Sequence, residues 1–263
     1  MTSSSRISSK PSSKTASKPG EGIRLNRFLA ECGVCSRREA DRHISEGAVK
    51  VNGEVCADLS TRILPGRDRV EFQGKELNRA EERIYLMLNK PRGYVVTRSD
   101  EFSRQTIYDL IPAGASQLRY AGRLDKNSEG LLLLTNDGEL INRLTHPARK
   151  VEKVYRVQVS RRLSKAELDS LRGGVRIEGG MTHSAGVFVK TTSEAGMTLK
   201  MVITEGRKRQ IRQMVEAVGA KVISLKRLQF GTLMLKDLPA GRWRPLTPGE
   251  IHGLKQLTEK PSS

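Results

Sequence analysis

A short polar loop contains the carboxylates that are best placed to do chemistry. Residues 122–130 begin and end with glycine, and they lead directly into the apolar run Leu131–Leu134. A buried strand at that point would hold Asp125 and Glu129 rigidly, as scaffolds hold reactive side chains. Two carboxylates could serve as the acid and the base of a glycosidase. From spacing alone, however, Asp125 is more often a simple turn residue.

A second candidate for chemistry is the cationic segment 205–214. Four cations, among them Lys208, Arg209 and Arg212, crowd the start of a predicted helix. The helix dipole disfavours positive charge there by about 0.3–1 kcal/mol per cation, so we expect an anion to compensate it. One interpretation is a solvated basic face beside Glu205. The other is a surface that binds RNA phosphates.

Composition excludes several classes of protein. The chain has 263 residues and a formal net charge of +18, most of it carried by residues 84–263. This surplus suits a polyanionic partner such as nucleic acid, and glycoside hydrolysis would not explain it. No apolar run approaches the roughly 20 residues that span a bilayer, so we expect a soluble protein with no membrane partner.

The cysteines indicate a reducing compartment. There are three, and no secretory leader precedes them, so we expect a cytoplasmic protein without disulfides. Cys32 and Cys35 form one C-x-x-C pair, but no second pair or histidine spacing completes a zinc site. We therefore expect no metal site at these cysteines.

Hydrophobic periodicity and composition divide the chain into two folded domains and three connecting or terminal segments. In chain order these are a disordered, basic, Ser-rich arm (1–21), the first domain (22–77), a linker (78–83), the second domain (84–247) and a C-terminal tail (248–263).

The first domain has the pattern of two short helices followed by a hairpin. Ser36 and Glu39 form a predicted capping box, and Asn52-Gly53 is a strong hairpin signal. This small αα-β pattern resembles the RNA-binding domain of the ribosomal-protein-S4 type. The resemblance implies RNA contacts, whereas the charges alone would also fit a solvated helical face. The cations expected to bind RNA are Arg24, Arg27, Arg37, Arg38 and Lys50.

The second domain alternates strands with few helices, which predicts an α+β fold with a mixed, largely antiparallel sheet. Its motifs resemble, in order, those of bacterial ribosomal RNA pseudouridine synthases. The similar group carries an N-terminal S4-type domain and includes the small-subunit synthase and the large-subunit synthases B, E and F. Gln213 stands where that family usually has a basic residue. The motifs are Lys90-Pro91-Arg92-Gly93, Gly122 to Leu131, Lys153-Val154-Tyr155 and Glu205 to Met214.

The resemblance implies a role for each matching residue. Asp125 would be the catalytic aspartate, paired with Arg212, in an isomerisation of uridine that needs no cofactor. Tyr155 would stack on the target uracil, and Ile211 would pack against the same base. Without the resemblance, Tyr155 would be taken for a core tyrosine. The remaining substrate-binding residues would be Arg123, which could replace the flipped base or bind a phosphate, with Lys208 and Arg209.

The resemblance also implies the partner, which is ribosomal RNA or a ribosomal subunit precursor, bound by a monomer. We expect 23S RNA as the substrate because the pattern is most similar to synthases B and F. A 16S RNA synthase is one alternative, and a non-catalytic RNA-binding ribosome assembly factor is another. The joint presence of Asp125, Tyr155 and Arg212 favours catalysis over the assembly factor.

Overall fold

The computed structural model describes residues 22–78, 83–98, 100–115, 117–194 and 196–259. The chain divides into two compact units between residues 80 and 81. The predicted arm 1–21, most of the predicted linker 78–83 and the last residues of the predicted tail lie outside the described residues.

The N-terminal unit contains two helices and two small sheets. The second helix has the predicted capping box, since Glu39 N donates to Ser36 Oγ and Ser36 N donates to the Glu39 carboxylate. The predicted hairpin is also confirmed at Asn52, which has a φ of 53°. The elements are β1 (Ile23–Arg24), α1 (Leu25–Glu31), α2 (Arg37–Ser45), β2 (Val49–Val51), β3 (Glu54–Val55), β4 (Arg62–Ile63), β5 (Val70–Phe72) and β6 (Lys75–Glu76).

Antiparallel pairing joins all strands of this unit. β1 pairs with β4, and the other four strands form a sheet in the order β3-β2-β5-β6. Apolar side chains at helical spacing in α1 and α2 pack on this sheet because one stripe of each helix is hydrophobic. The centre of this core is formed by Leu25, Leu29, Ala40, Ile44 and Val49.

In the residues that the structure describes, the C-terminal unit is built on a large sheet with four helices. Three 3-10 helices, Ile107–Leu110, Ala113–Ala115 and Pro147–Arg149, lie in its connections. The strands and helices are β7 (Tyr85–Lys90), β8 (Arg119–Ala121), β9 (Glu129–Thr135), α3 (Gly138–Thr145), β10 (Lys153–Val159), α4 (Lys165–Gly173), β11 (Arg176–Ile177), β12 (Gly180–Met181), β13 (Gly186–Ser193), β14 (Gly196–Ile203), α5 (Gln210–Ala217), β15 (Val222–Phe230), β16 (Leu233–Met234), β17 (Trp243–Pro245) and α6 (Pro248–Glu259).

The sheet is mixed and largely antiparallel, which confirms the α+β prediction. Its main strand order is β13-β14-β10-β15-β9-β7-β17, with β8 paired to β9 and β16 paired to β15. Within the described residues, the pairing of β15 with β9 is the only parallel one in this sheet. It places the start of β9 against the middle of β15.

Both faces of the central strands are buried. Leu86 and Leu88 of β7 belong to one core, whereas Tyr85 and Met87 belong to the core on the opposite face. The run Leu131–Leu134 of β9 alternates in the same way, because successive side chains of a strand point to opposite faces. A continuous apolar run is therefore what this position in the sheet requires.

The predicted tail 248–263 differs from the structure. Residues 248–259 form α6, which contacts α3 and buries Leu254 in the second core. The Arg244 guanidinium binds the Glu250 carboxylate, and Glu250 N donates to Thr247 Oγ1 at the start of the helix. Burial of one apolar stripe explains why this segment folds onto the unit. Of the helices described, none is long and apolar enough to cross a membrane.

Candidate active site

The 122–130 loop connects β8 to β9 and is held by a buried lysine. The Lys90 ammonium donates to three main-chain carbonyls, those of Pro91 at 3.0 Å, Lys126 at 3.3 Å and Ser128 at 2.8 Å. Lys90 is completely buried, and burial lowers its pKa to about 8, although the charges of Asp125 and Glu129 oppose this shift. The Lys90 ammonium thus holds the main chain on both sides of Asn127 in the loop that carries Asp125.

A cavity of about 530 Å³ opens beside this loop, and we call it the central cavity. Asp125, Tyr155 and Ile211 all line it. Asp125 is half-buried, whereas Tyr155 on β10 and Ile211 on α5 are almost completely buried. The structure therefore brings together the carboxylate, the ring and the aliphatic side chain that the sequence predicts to act on one base. The volume is within the range of small-molecule sites.

Arg212 does not form the expected ion pair with Asp125. Its guanidinium donates to the carbonyls of Asn127 at 2.9 Å and Val222 at 3.3 Å, and Arg212 does not line the central cavity. The reason is the register of α5: Ile211 points to the cavity, so the next residue points along the helix side toward the end of the loop. Asp125 remains close enough for its charge to raise the pKa of Arg212, while burial and Arg209 lower that pKa more.

The cationic segment is less helical than its sequence predicts. The helix α5 begins only at Gln210, because Arg209 has left-handed backbone angles (φ 52°). Lys208 and Arg209 are consequently exposed in the turn that precedes the helix. Glu205 supplies the expected anion: its carboxylate accepts from Arg207 Nε at 3.0 Å and from Gln210 Nε2 at 2.7 Å.

A second depression of about 460 Å³ adjoins the central cavity, and we call it the side groove. Arg123, Asp125 and Arg209 line both spaces. Lys126 and Lys208 line only the side groove. The two spaces therefore adjoin at Asp125, and Arg123 and Arg209, which are predicted to bind substrate, border both of them.

Three residues for which the sequence predicts no role also shape this site; Arg227 and Phe230 are buried, and Lys153 is half-buried. Lys153, Arg227 and Phe230 line the central cavity, and the Arg227 guanidinium lies 5.1 Å from the centroid of the Phe230 ring. Arg227 Nε donates to Leu131 O at 2.7 Å, while its buried Nη2 has no hydrogen-bond partner among the described residues. Burial, together with the charge of Arg227, lowers the pKa of Lys153 to about 8.

A signal for these residues does exist in the sequence. Lys153 directly precedes the alternating apolar positions of β10, and Arg227 lies inside β15 close to Leu225 and Leu228. A charged residue that a strand buries needs a functional or structural reason. Tyr155 and Arg227 are direct partners in the register of β10 and β15, so both strands present their polar groups at one place.

The arrangement suits a planar polar ring. Tyr155 and Ile211 give the central cavity an apolar wall, and the half-buried Asp125 carboxylate lines the same space. Two cations, Lys153 on β10 and Arg227 on β15, also line it. Such a cavity favours a nucleobase over an extended sugar chain, because aromatic and aliphatic walls hold a flipped base. Within the described chain, no group of three or more His, Cys, Asp or Glu side chains could hold a metal ion.

The N-terminal unit exposes most of the cations that the sequence assigned to RNA. Arg24, Arg38 and Lys50 are exposed, and no ion pair among the described residues engages them. Arg37 is exposed as well and donates to Asn26 Oδ1 at 3.4 Å. Arg27 differs, since its Nε donates to the buried Glu31 carboxylate at 2.8 Å. Arg27 therefore has a structural partner within its own helix.

Comparison with known proteins identifies both units. The family model described as RNA pseudouridylate synthase matches residues 84–217, and the S4 domain model matches residues 23–68. Ribosomal large subunit pseudouridine synthase B of Bacillus subtilis (strain 168) is 39% identical over 90% of this chain and 97% of its own length. Dual-specificity RNA pseudouridine synthase RluF of Escherichia coli (strain K12) is 36% identical over 93% of this chain and 82% of its own.

A solved structure gives the same result. A crystal structure of a pseudouridylate synthase superimposes with a TM-score of 0.64 at 33% identity, and the match covers 89% of this chain and 100% of that one. The fold, the order of the motifs and the relatives agree, and the chain belongs to the RNA pseudouridylate synthase family, with an S4 domain at its N-terminal end.

Proposed function

We propose that this protein isomerises a specific uridine of 23S ribosomal RNA to pseudouridine, with Asp125 as its catalytic carboxylate. The observation that carries the proposal is the shared lining of the central cavity: Asp125, Tyr155 and Ile211 border one space of nucleobase size. The 23S target is supported by the relative named as a large-subunit synthase, which is similar over almost its whole length.

The reaction rearranges one nucleotide and needs no redox partner. The C1′–N1 bond breaks, the base turns, and C1′ bonds to C5; the C5 proton is released and N1 gains a proton. Uracil in folded RNA is stacked, so it must first be flipped into the cavity. Tyr155 stacks on the base and Ile211 packs against it, while Asp125 acts on the reacting nucleotide.

The basic residues hold the RNA around that nucleotide. Arg123 fills the stack that the base vacates or binds a phosphate, and Lys208 and Arg209 bind phosphates beside the cavity. Arg212 acts through the loop that it braces. In the N-terminal unit, Arg24, Arg37, Arg38 and Lys50 bind the RNA backbone. We further propose that the enzyme acts as a monomer, in the cytoplasm, on ribosomal RNA or a subunit precursor.

Tritium release from transcribed 16S and 23S RNA that contains 5-tritiated uridine tests the proposal. We expect release from 23S RNA only, and we expect Asp125→Asn to lower turnover by about 10⁴-fold or more, as for other essential side chains. RNA binding should remain. Glu129→Gln is the matched control, because Glu129 lies in ion-pair contact with Arg92 at 3.4 Å and lines neither space.

Three results would contradict the proposal in different ways. Near-normal turnover by Asp125→Asn would remove the assigned role of that residue. Release from 16S RNA would correct the target. No release from either RNA or from subunit precursors would instead favour a binding protein that assists ribosome assembly.

A further inference from the structure

An exposed aromatic ring stands at the side groove. Phe102 lines that groove and is 73% exposed. The Arg104 guanidinium lies over the ring, 4.8 Å from its centroid. A single exposed apolar side chain is ordinary on a protein surface, so the ring matters only because of what surrounds it.

The Arg104 side chain, which lies over the Phe102 ring, is itself held by an ion pair with Asp100. Arg104 Nε donates to Asp100 Oδ1 at 2.9 Å, and Arg104 N donates to Asp100 Oδ2 at 2.7 Å. The hydrogen bonds from Arg104 also lower the pKa of Asp100, so the carboxylate stays charged at neutral pH. The guanidinium is thereby held against one side of Phe102. The high exposure of Phe102 means that the rest of the ring surface is open to solvent.

The groove beside the ring is cationic and leads to the active site. Arg123, Lys126, Lys208 and Arg209 are exposed along it. Its carboxylates are Glu101, the ion-paired Asp100 and the catalytic Asp125. Because Asp125 and Arg209 also line the central cavity, a strand that places one nucleotide in the cavity would run into the groove.

We propose that Phe102 stacks on an unpaired base of the substrate RNA, close to the target uridine, while the groove cations bind the adjoining phosphates. The inference rests on the proposed function, since the target uridine is taken to lie at Asp125. Aromatic rings interleaved with cations are the usual way in which proteins bind single-stranded RNA. Arg104 makes the ring more rigid and adds positive charge beneath the stacked base.

The test compares two exposed phenylalanines that have similar surroundings. Phe188 on β13 is 53% exposed, and Lys200 Nζ lies 5.7 Å from its ring centroid, but it lines neither the cavity nor the groove. With the 23S fragment that releases tritium, we expect Phe102→Ala to raise Kd and KM by about 5- to 150-fold, the usual effect of losing one base stack. The kcat should stay unchanged at saturating RNA. Phe102→Trp should bind like the wild type, and so should Phe188→Ala.

A second set of RNAs locates the stacked base. Abasic nucleotides are placed one at a time on either side of the target uridine, and Kd is measured for wild type and Phe102→Ala. We expect one abasic position to weaken wild-type binding while having no further effect on the variant. If Phe102→Ala binds like Phe188→Ala, or if every abasic effect is equal in both proteins, the inference is wrong.

These outcomes are separate from those for the proposed function. Asp125→Asn should bind RNA normally without turnover, whereas Phe102→Ala should bind weakly and turn over at saturation. If no uridine is isomerised, the proposed function fails, and the same abasic scan along the 23S transcript still decides whether Phe102 stacks on a base.

Discussion

Arg212 Nη2 donates to the main-chain carbonyl of Asn127 across 2.9 Å, two residues beyond Asp125. The same guanidinium donates to the carbonyl of Val222 at the start of β15. One side chain therefore connects α5, a central strand and the loop that carries Asp125. From these contacts we propose that Arg212 is a positioning residue.

Removal of Arg212 should impair turnover more than binding. We expect Arg212→Met to lower kcat by about 10²-fold with a small change in KM, because an error of about 1 Å in a reacting group has an effect of that size. Arg212→Lys should recover only part of the loss, since an ammonium lacks the planar fork that reaches two carbonyls. Steady-state tritium release at several RNA concentrations separates kcat from KM.

Arg161 offers the matched control for Arg212. Its guanidinium donates to the carbonyls of Val218 and Gly219 beyond the end of α5, far along the helix from the 122–130 loop. Arg161→Met should lower the free energy of unfolding without a specific loss of kcat. Equal kinetic defects in the two variants would mean that Arg212 acts only through the stability of α5.

The Lys90 ammonium should make turnover sensitive to alkaline pH. Above pH 8 the neutral amine has two N–H groups for three carbonyls, so one tether to the loop is lost and kcat should fall. Stability should change in the opposite direction. The folded pKa of about 8 lies below the unfolded value of 10.5, so the unfolded chain binds more protons between these pH values, and this contribution to stability rises with pH.

Lys90→Met tests this assignment because methionine fills the space without donating. We expect a loss of about 2–5 kcal/mol in the free energy of unfolding, since three carbonyls, of which that of Ser128 is in a buried hydrogen bond, lose their donor. The fall in kcat above pH 8 should also disappear. Lys153 titrates near the same pH, so Lys153→Met should be measured in parallel. If kcat still falls above pH 8 in Lys90→Met but no longer does so in Lys153→Met, deprotonation of Lys153 causes the fall.

The sequence predicts the elements of this protein better than the direction of its side chains. The capping box at Ser36 and the hairpin at Asn52 depend on local chemistry, and both are present. The run Leu131–Leu134 predicts a buried strand because apolar content reports burial directly. Tyr155 and Ile211 reach the same cavity as Asp125, in agreement with the family resemblance.

The contacts of charged residues could not be predicted in the same way. Whether Arg212 meets Asp125 or the carbonyl of Asn127 depends on the register of α5, which starts later than its pattern suggests because Arg209 adopts a left-handed backbone. Lys90 and Arg227 bind main-chain carbonyls, and any residue supplies a carbonyl. No side-chain pattern therefore marks the partners of buried cations.

The exposed cations of the N-terminal unit should set the salt dependence of RNA binding. For single-stranded contacts, each neutralised phosphate contributes about 0.7 to the slope of log K against log salt. Replacement of Arg24, Arg38 and Lys50 by glutamine should therefore lower that slope by about 2. Arg27→Gln is the control: it should destabilise the unit through Glu31 and leave the slope unchanged. A triple variant with the wild-type slope would argue against RNA contact at this surface.

Gly130 allows the close approach that places the 122–130 loop against β15. Its φ is +106°, and a Cβ atom there would lie 2.2 Å from the carbonyl oxygen and 2.7 Å from the nitrogen of Arg227. Alanine would thus have to push apart the parallel pairing of β9 with β15. We expect Gly130→Ala to lower the free energy of unfolding by about 3 kcal/mol or more, and to lower kcat as the loop shifts.

Gly93→Ala is the control for Gly130→Ala, because it introduces backbone strain without a steric clash. It has a similar φ of +91°, but a Cβ atom there would meet nothing within 4 Å. Gly93→Ala should therefore lose only the roughly 1–2 kcal/mol that an L-residue incurs in a left-handed conformation. Denaturant unfolding of both variants measures the difference. Equal losses would show that backbone strain alone explains Gly130, whereas a larger loss at Gly130 would show that its close approach to the Arg227 backbone requires glycine. A fall in kcat confined to Gly130→Ala would link this contact to the position of Asp125.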